Sequence, residues 1–387
     1  MKKILILVAG ESNLPFIQAA VKLGIYVISC DNNKSNPGHR ISDENLFIDV
    51  YDHEAIIEAI KDKNIDGVMS FVSAHGLYTA SIISEHYQLP GYTQTALEIL
   101  TNKGLFRDFL VRIDLNFPTY QCVQDIGEID LKQLTYPIII KPTDSGGSQG
   151  VVKINNENEL FLNFQISLGF SDSKKVIIEE FLEGEALING DCLIYKGEII
   201  CNMIGNYIYD KEINKVLPIA TVFPSEHNLS EVLKQISLVI RRLNIPDGII
   251  NFEAIIRNNI PYIVEINPRP SGNYIWKLMG YRYNFNVPNF LLNTYQSSNN
   301  NENYPKKSNN NSYAYQLIYT EISKIFKGYE IPLIMKNNIL EMNIFYQKDE
   351  HVNSFKNLYD RIGILLMVFR DEEKRKFYIE NTKLFRI

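Results

Sequence analysis

Strand and helix signals alternate through the first ninety residues, and that alternation restricts the fold more than any other feature of the chain. Lys3 to Ala9 is a continuous apolar run followed by Gly10-Glu11-Ser12-Asn13, and a helical pattern then extends from Leu14 to Leu23. Gly24 ends it, and Tyr26 to Cys30 reads as a second strand. Phe47 to Val50 and Gly67 to Val72 read as two more, separated by a helix from His53 to Lys63. Elements of these lengths in alternation imply a parallel sheet covered on both faces. Ligands of such sheets lie beyond the carboxyl ends of the strands, which singles out Gly10 to Asn13, Asp31 and Ser73 to Gly76. A first domain is expected over residues 1–92.

A different texture follows. One helical stretch is expected from Thr93 to Leu110, then a small α+β unit with strands at Tyr136–Lys141, Val151–Ile154 and Lys175–Phe181 around a helix at Asn158–Leu168. Strands dominate next, at Ala186–Tyr195, Glu198–Tyr207, Ile249–Ile256 and Ile260–Ile266, with a helix at Leu229–Leu243 behind an Asn228-Leu229-Ser230 cap signal. The Asn-rich tract Gln296–Ser312 reads as a loop or linker. The domains implied are 93–295, with a lid subunit at about 117–178, and a carboxy-terminal α+β unit at 313–387.

Charge and cysteine usage exclude several classes. With 39 Lys+Arg against 45 Asp+Glu, the net charge is 39 − 45 = −6, which argues against a dedicated nucleic-acid binder. Met1-Lys2-Lys3 before Ile4–Gly10 has the look of a signal peptide, but the apolar stretch ends at Glu11 and a buried first strand is the better reading. No window approaches the roughly 20 apolar residues of a membrane helix. Cys30, Cys122, Cys192 and Cys201 lack metal-site spacing and are expected to be buried thiols in a reducing cytoplasm.

Three segments carry chemistry. In Tyr136-Pro-Ile-Ile-Ile-Lys-Pro-Thr-Asp-Ser-Gly-Gly-Ser-Gln-Gly-Val151, a lysine closes an apolar strand, where burial is costly unless it meets an anion. The glycine-rich loop behind it allows backbone N–H groups to approach phosphate oxygens. The plainer reading is a hairpin with a solvent-facing lysine. In Val176-Ile-Ile-Glu-Glu-Phe-Leu-Glu-Gly-Glu185, a strand end could pair with the polar edge of an adenine while Phe181 and Leu182 cover its faces; an ordinary solvated turn is the alternative. In the third, Glu265, Asn267 and Arg269 alternate along a strand and share a face. Glu253, on a neighbouring antiparallel strand, would complete a set of hard oxygen donors suited to Mg²⁺, with Arg269 placed to grip a phosphate. A surface ion pair fits poorly, because Ile263, Val264 and Ile266 around them are apolar.

Taken in order, Lys103, Lys141 with its loop, Glu179-Glu180-Phe181-Leu182, Asn251-Phe252-Glu253 and Glu265-Ile266-Asn267-Pro268-Arg269 resemble the ATP-grasp superfamily, and within it the carbamoyl-phosphate-synthase-like carboxylate–amine ligases. The resemblance spans nearly the whole chain and implies an α/β and α+β architecture, an ATP-grasp fold behind an N-terminal Rossmann-like parallel-sheet pre-grasp domain. It implies that Lys103 and Lys141 contact the ATP phosphates. Ser145, Gly146, Gly147, Ser148 and Gly150 would form a mobile lid over them. Glu179, Glu180, Phe181 and Leu182 would bind adenine and Glu185 the ribose. Glu253, Glu265 and Asn267 would carry Mg²⁺, with Mn²⁺ as a substitute, and Arg269 with Lys141 would act on the transferred phosphoryl group. Two features depart from the family pattern: Gln149 stands where many relatives have a basic lid residue, and the alignment at Glu185-Ala186 is open by one position.

The reaction so implied activates a small carboxylate as an acyl-phosphate and joins it to an amine, in the cytoplasm, without nucleic acid or membrane. A small-molecule kinase on the same site is the alternative. An oxidoreductase is suggested only by Gly10 and Asp31, since positions 10 to 15 read Gly-Glu-Ser-Asn-Leu-Pro and lack the dinucleotide fingerprint. His75 is the one histidine placed near a ligand, with a structural loop role favoured. Pocket residues from Asn202 to Lys211 and Pro270 to Asn273 mix hydroxyls and amides, which suits an amino acid or a sugar acid. Apolar residues in Gly280 to Tyr283 face either the core or a homodimer partner.

Overall fold

The computed structural model describes residues 1–184, 186–210, 212, 217–294, 305 and 307–387. The amino-terminal unit contains β1 (Lys3–Leu7), α1 (Leu14–Lys22), β2 (Tyr26–Cys30), β3 (Glu44–Leu46), α2 (His53–Ile60), β4 (Gly67–Met69) and α3 (Ala74–Tyr87). Its four strands form a parallel sheet in the order β3-β2-β1-β4. The strand expected at Phe47–Val50 is displaced: Glu44–Leu46 pairs with β2, and the more apolar residues after it lie outside the ladder, Phe47 being exposed.

The single helix expected over Thr93–Leu110 is two, α4 (Gln94–Thr101) and α5 (Lys103–Arg112). Asn102 breaks it. Its backbone is extended (φ −109°, ψ 114°), and its side chain accepts hydrogen bonds from the Gly104 and Leu105 N–H groups, as an N-cap does. The small unit comprises β5 (Tyr120–Val123), β6 (Ile138–Pro142), β7 (Val152–Ile154), α6 (Glu157–Gly169) and β8 (Val176–Glu180), with an antiparallel sheet ordered β5-β8-β6-β7. Alternation along β6 and β8 sends Ile138, Ile140, Val176 and Ile178 into a core under α6. The opposite face carries Lys141 and Glu179.

The remaining elements are β9 (Ala186–Tyr195), β10 (Glu198–Tyr209), β11 (Pro218–Phe223), α7 (Ser230–Arg242), β12 (Gly248–Arg257), β13 (Ile260–Asn267), α8 (Ile275–Tyr283), α9 (Val287–Thr294), β14 (Ser312–Ile318), β15 (Lys324–Ile325), β16 (Ile339–Ile344), β17 (His351–Val352), β18 (Gly363–Phe369) and α10 (Glu372–Glu380). Strands β11, β14 and β16 and helices α8 and α9 add to the sequence reading. Eight strands make one sheet, in the order β13-β12-β9-β10-β11-β14-β18-β16. The carboxy-terminal segment therefore does not build a sheet of its own around β14 and β18; β14 pairs with β11 and extends the central sheet. One core runs from α1 through α8 and α9 to these strands, including Phe16, Trp276, Tyr315 and Leu366. The tract at Gln296–Ser312 lies largely outside the described residues. No helix among the described residues is long and apolar enough to cross a membrane. Cys30, Cys192 and Cys201 are buried as expected, whereas Cys122 is exposed, because its strand β5 is an edge.

Candidate active site

Pairing register assembles the site. Glu253 lies opposite Glu265 across β12 and β13, Asn251 opposite Asn267 and Asp191, and Glu253 opposite Asn189 on β9. Directly opposed residues in an antiparallel sheet share a face. Extended through Tyr207, Thr221 and Tyr315 by the next pairings, the same rule gives the central sheet one polar strip. Its reverse is apolar: Ile250, Phe252 and Ile266 pack with Val232, Ile236 and Val239 of α7. The β12–β13 pairing shifts register just after Glu253, a bulge beside the two carboxylates.

The strip is hydrogen-bonded around the carboxylates. Tyr207 donates to Glu253 Oε1 (2.5 Å), Thr221 Oγ1 to Asn189 Oδ1 (3.0 Å), and Asn267 Nδ2 to Glu265 Oε1 (2.8 Å). Burial first, then the charge of Glu265, holds the Glu253 carboxyl well above the usual carboxylate range. Two opposed carboxylates with an amide beside them are a set of oxygen donors that could hold a hard divalent ion. Among the described residues no cluster of three or more His, Cys, Asp or Glu side chains could hold a metal. An ion held by Glu253 and Glu265 would therefore draw its other donors from an amide and from ligand or water oxygens, a set that suits Mg²⁺.

Lysines face the carboxylates from the lid side. Lys141 Nζ donates to Glu179 Oε2 (2.5 Å), and Arg107 Nε to Glu179 Oε1 (2.6 Å). Burial pushes the Glu179 carboxyl up, but the two cations overrule it and leave it at about 2. Both Glu179 oxygens are thus engaged with cations, and its side chain fixes the position of the Lys141 ammonium. Lys103, at the first turn of α5, donates from Nζ to the Ser145 carbonyl (2.7 Å), and its N–H reaches the Thr143 carbonyl (2.7 Å). Burial lowers its ammonium pKa, with the Glu265 charge opposing.

The other expected residues are placed as follows. Glu180 pairs with Arg257 (2.7 Å), Leu182 is buried, and the Lys153 ammonium sits 3.9 Å from the centre of the Phe181 ring. Arg269 lies just beyond β13 and donates to the Pro270 carbonyl (3.1 Å). Glu185 lies outside the described residues, as does Lys211. His75 is drawn into an exposed pair with Tyr51 (2.6 Å) rather than towards a ligand. Asp31 accepts from the Ala9 N–H (3.0 Å) and from Asn36 (2.8 Å), so its carboxylate closes its own loop and is not offered to a ribose.

In the loop 145–150, Gly147, Ser148 and Gly150 all have positive φ (66°, 60° and 67°). A Cβ on Gly147 would lie 2.4 Å from the Tyr359 ring, and Leu358 N–H reaches the Gly147 carbonyl (3.4 Å). The carboxy-terminal segment therefore cradles the loop. Gly147→Ala meets both strain and a clash, and is expected to lower kcat about tenfold or more with the melting temperature little changed. Unaltered turnover in steady-state assays would mean the loop does not have to adopt this geometry during catalysis.

Sequence reasoning missed Arg107, whose charge lies hidden in the apolar stripe of α5 with Phe106, Phe109 and Leu110. It also missed Asp191. That side chain is fully buried and receives Asn251 Nδ2 (3.1 Å) and the Ser271 N–H (3.2 and 3.3 Å), which fixes the turn following Arg269. Burial, only partly offset by these bonds, raises its pKa to about 7. Its signal was a lone acid at an inward position of an apolar strand.

Fold and site define a class of protein in which a small lid sheet and a large antiparallel sheet oppose lysines to paired carboxylates. Residues 100–273 match the ATP-grasp domain family. The chain is 27% identical, over 280 residues and 70% of each chain, to a formate-dependent phosphoribosylglycinamide formyltransferase from Prochlorococcus marinus subsp. pastoris. In fold it is similar to an L-amino acid ligase from Bacillus licheniformis (TM-score 0.81, 18% identity, 100% of this chain and 98% of that one). A phosphoribosylglycinamide synthetase from Anaerococcus prevotii is likewise similar (TM-score 0.76, 22% identity, 98% and 97%).

Proposed function

We propose that this chain is an ATP- and Mg²⁺-dependent ligase that activates a small carboxylate as an acyl-phosphate and joins it to an amine, forming a C–N bond. The observation that carries this reading is the opposition of Glu253 and Glu265 on the central sheet to Lys103 and Lys141 on the lid side. An ATP γ-phosphoryl group passes to a carboxylate oxygen, releasing ADP; the amine then attacks the acyl carbon and phosphate leaves.

The chain's work is positioning and charge neutralisation. Lys141, oriented by Glu179, and Lys103, tied to the loop backbone, hold the phosphates. Ser145, Gly146, Gly147, Ser148 and Gly150 close over them and exclude water. Glu180, Phe181 and Leu182 supply the adenine edge and its apolar cover, with Glu185 at the ribose. Arg269 stabilises charge on the moving phosphoryl group. Glu253, Glu265 and Asn267 would hold Mg²⁺, which supplies Lewis-acid neutralisation of the phosphate oxygens. Mn²⁺ as a substitute, a cytoplasmic setting, a homodimer through α8 where Tyr281 is exposed, and domains at 1–92, 93–295 (lid 117–178) and 313–387 complete the proposal. The substrates are an amine and a polar carboxylate such as an amino acid or sugar acid; the hydroxyls and amides of the strip favour this.

The test is ADP release by the purified protein with Mg²⁺ and ATP against carboxylic acids, with and without amines. ADP formation that needs both acid and amine, with an amide seen by mass spectrometry, is the expected result. A stable phosphorylated product from a single acceptor would replace the ligase by a kinase.

A further inference from the structure

Tyr207 stands among the candidate metal donors without being one of them. It lies on β10, two strands from Glu253 on β12, and shares a face with it through the pairings of both strands with β9. Gly205, on the same face of β10, is opposed to Asn189, which is opposed in turn to Glu253. Gly205 offers no side chain, and Asn189 accepts at its amide oxygen from Thr221 (3.0 Å), so the phenol and the carboxylate meet across β9 (2.5 Å). The Tyr207 ring packs on the core and lies edge-on to Tyr209 (centroids 6.2 Å apart, interplanar angle 64°), which fixes where its hydroxyl points.

The bond engages Oε1 alone; among the described residues Glu253 Oε2 receives no hydrogen bond. The carboxylate therefore presents one free oxygen and one that is held. The corresponding bond at Glu265 comes from Asn267, itself a candidate donor, so Tyr207 differs in constraining the set from outside it. Denticity separates hard cations. Mg²⁺ takes six oxygens in a near-ideal octahedron at about 2.1 Å, whereas Ca²⁺ takes about six to eight at about 2.3–2.6 Å and accepts both oxygens of one carboxylate. Hydrogen bonds to metal-binding carboxylates orient them and tune the ion they hold.

We propose that Tyr207 is a positioning residue that restricts Glu253 to one metal-facing oxygen and so sets a preference for Mg²⁺ over the larger Ca²⁺. The inference rests on the assignment of Mg²⁺ to Glu253, Glu265 and Asn267. Without the phenolic donor both Glu253 oxygens become available, which benefits Ca²⁺ more than Mg²⁺.

Calorimetric titration of ADP into the full-length protein, at saturating Mg²⁺, at saturating Ca²⁺ and in EDTA, tests this. Wild type is expected to bind ADP more tightly with Mg²⁺ than with Ca²⁺. Tyr207→Phe is expected to reduce that ratio about fivefold or more, with ADP affinity in EDTA changed by less than about twofold. The ratio cancels any loss of packing common to the two ions. An unchanged ratio in Tyr207→Phe overturns the proposal, and equal weakening under all three conditions would mark a purely structural tyrosine. Should Tyr207→Phe fail to fold, Tyr207→Met, which also lacks the donor, is read by the same criterion. If wild type binds ADP no better with Mg²⁺ than in EDTA, the metal assignment itself fails and the proposal falls with it. If that enhancement is present and the ratio survives the substitution, the role of Tyr207 alone is overturned.

Discussion

Glu265→Ala is expected to reduce ADP release roughly a thousandfold or more while leaving the fold at least as stable as before. The two effects have opposite signs because of one geometry. Glu253 and Glu265 are opposed across β12 and β13, and their repulsion, together with burial, keeps Glu253 well above its ordinary pKa. Removing Glu265 relieves that repulsion in the free protein and so does not lower its melting temperature. It also removes half of the carboxylate charge that would hold Mg²⁺ between phosphate oxygens. Nucleotide affinity should therefore fall much more with Mg²⁺ present than without it. Titrating Mg²⁺ and ATP against wild type and variant reads this directly. Full activity in Glu265→Ala at ordinary Mg²⁺ concentrations would falsify the placement of the metal.

Arg107→Ala acts in the other direction, on stability first. Arg107 is 1% exposed and Glu179 is 2% exposed. Loss of one cation from this buried triad leaves a carboxylate with a single partner and a cavity beside Phe106, at a cost of about 3–5 kcal/mol. Lys141 would then carry Glu179 alone and be less free to meet a phosphate, so KM for ATP should rise as well. The same triad gives the wild type a pH signature. The Glu179 pKa falls from 4.5 in the reference state to about 2 in the fold. Its contribution is therefore complete above about pH 4.5 and is lost as pH falls from there through 2. Arg107→Ala should be less stable than wild type at pH 7 in urea unfolding, with the gap narrowing as the solution is acidified. An equal gap at pH 7 and pH 3 would mean that packing, not charge, explains the loss.

Much of this site could be read from residue order. The strand-ending lysine at Lys141, the glycine-rich loop behind it and the alternation of Glu265 with Asn267 are local patterns, because strand periodicity and glycine freedom are properties of short segments. The parallel pairing of β1, β2 and β4 was legible for the same reason. Glu44–Leu46 was not, since its selection over Phe47–Val50 depends on register against β2 rather than on apolarity. Strand β11, by contrast, carries a local signal in its apolar, β-branched run Ile219-Ala220-Thr221-Val222-Phe223, which went unread.

What the chain determines by itself is thus which residues can do chemistry: carboxylates at strand period, a lysine with its loop, and a turn opening at Arg269. Tertiary structure alone decided their partners. It placed Glu179 between Arg107 and Lys141, engaging both of its carboxylate oxygens with cations distant in sequence. It gave Asp31 to its own loop and joined β14 and β18 to the central sheet. The reason is physical. Periodicity fixes the face on which a side chain stands, but the counter-charge it meets comes from residues distant in sequence, and only packing brings them together.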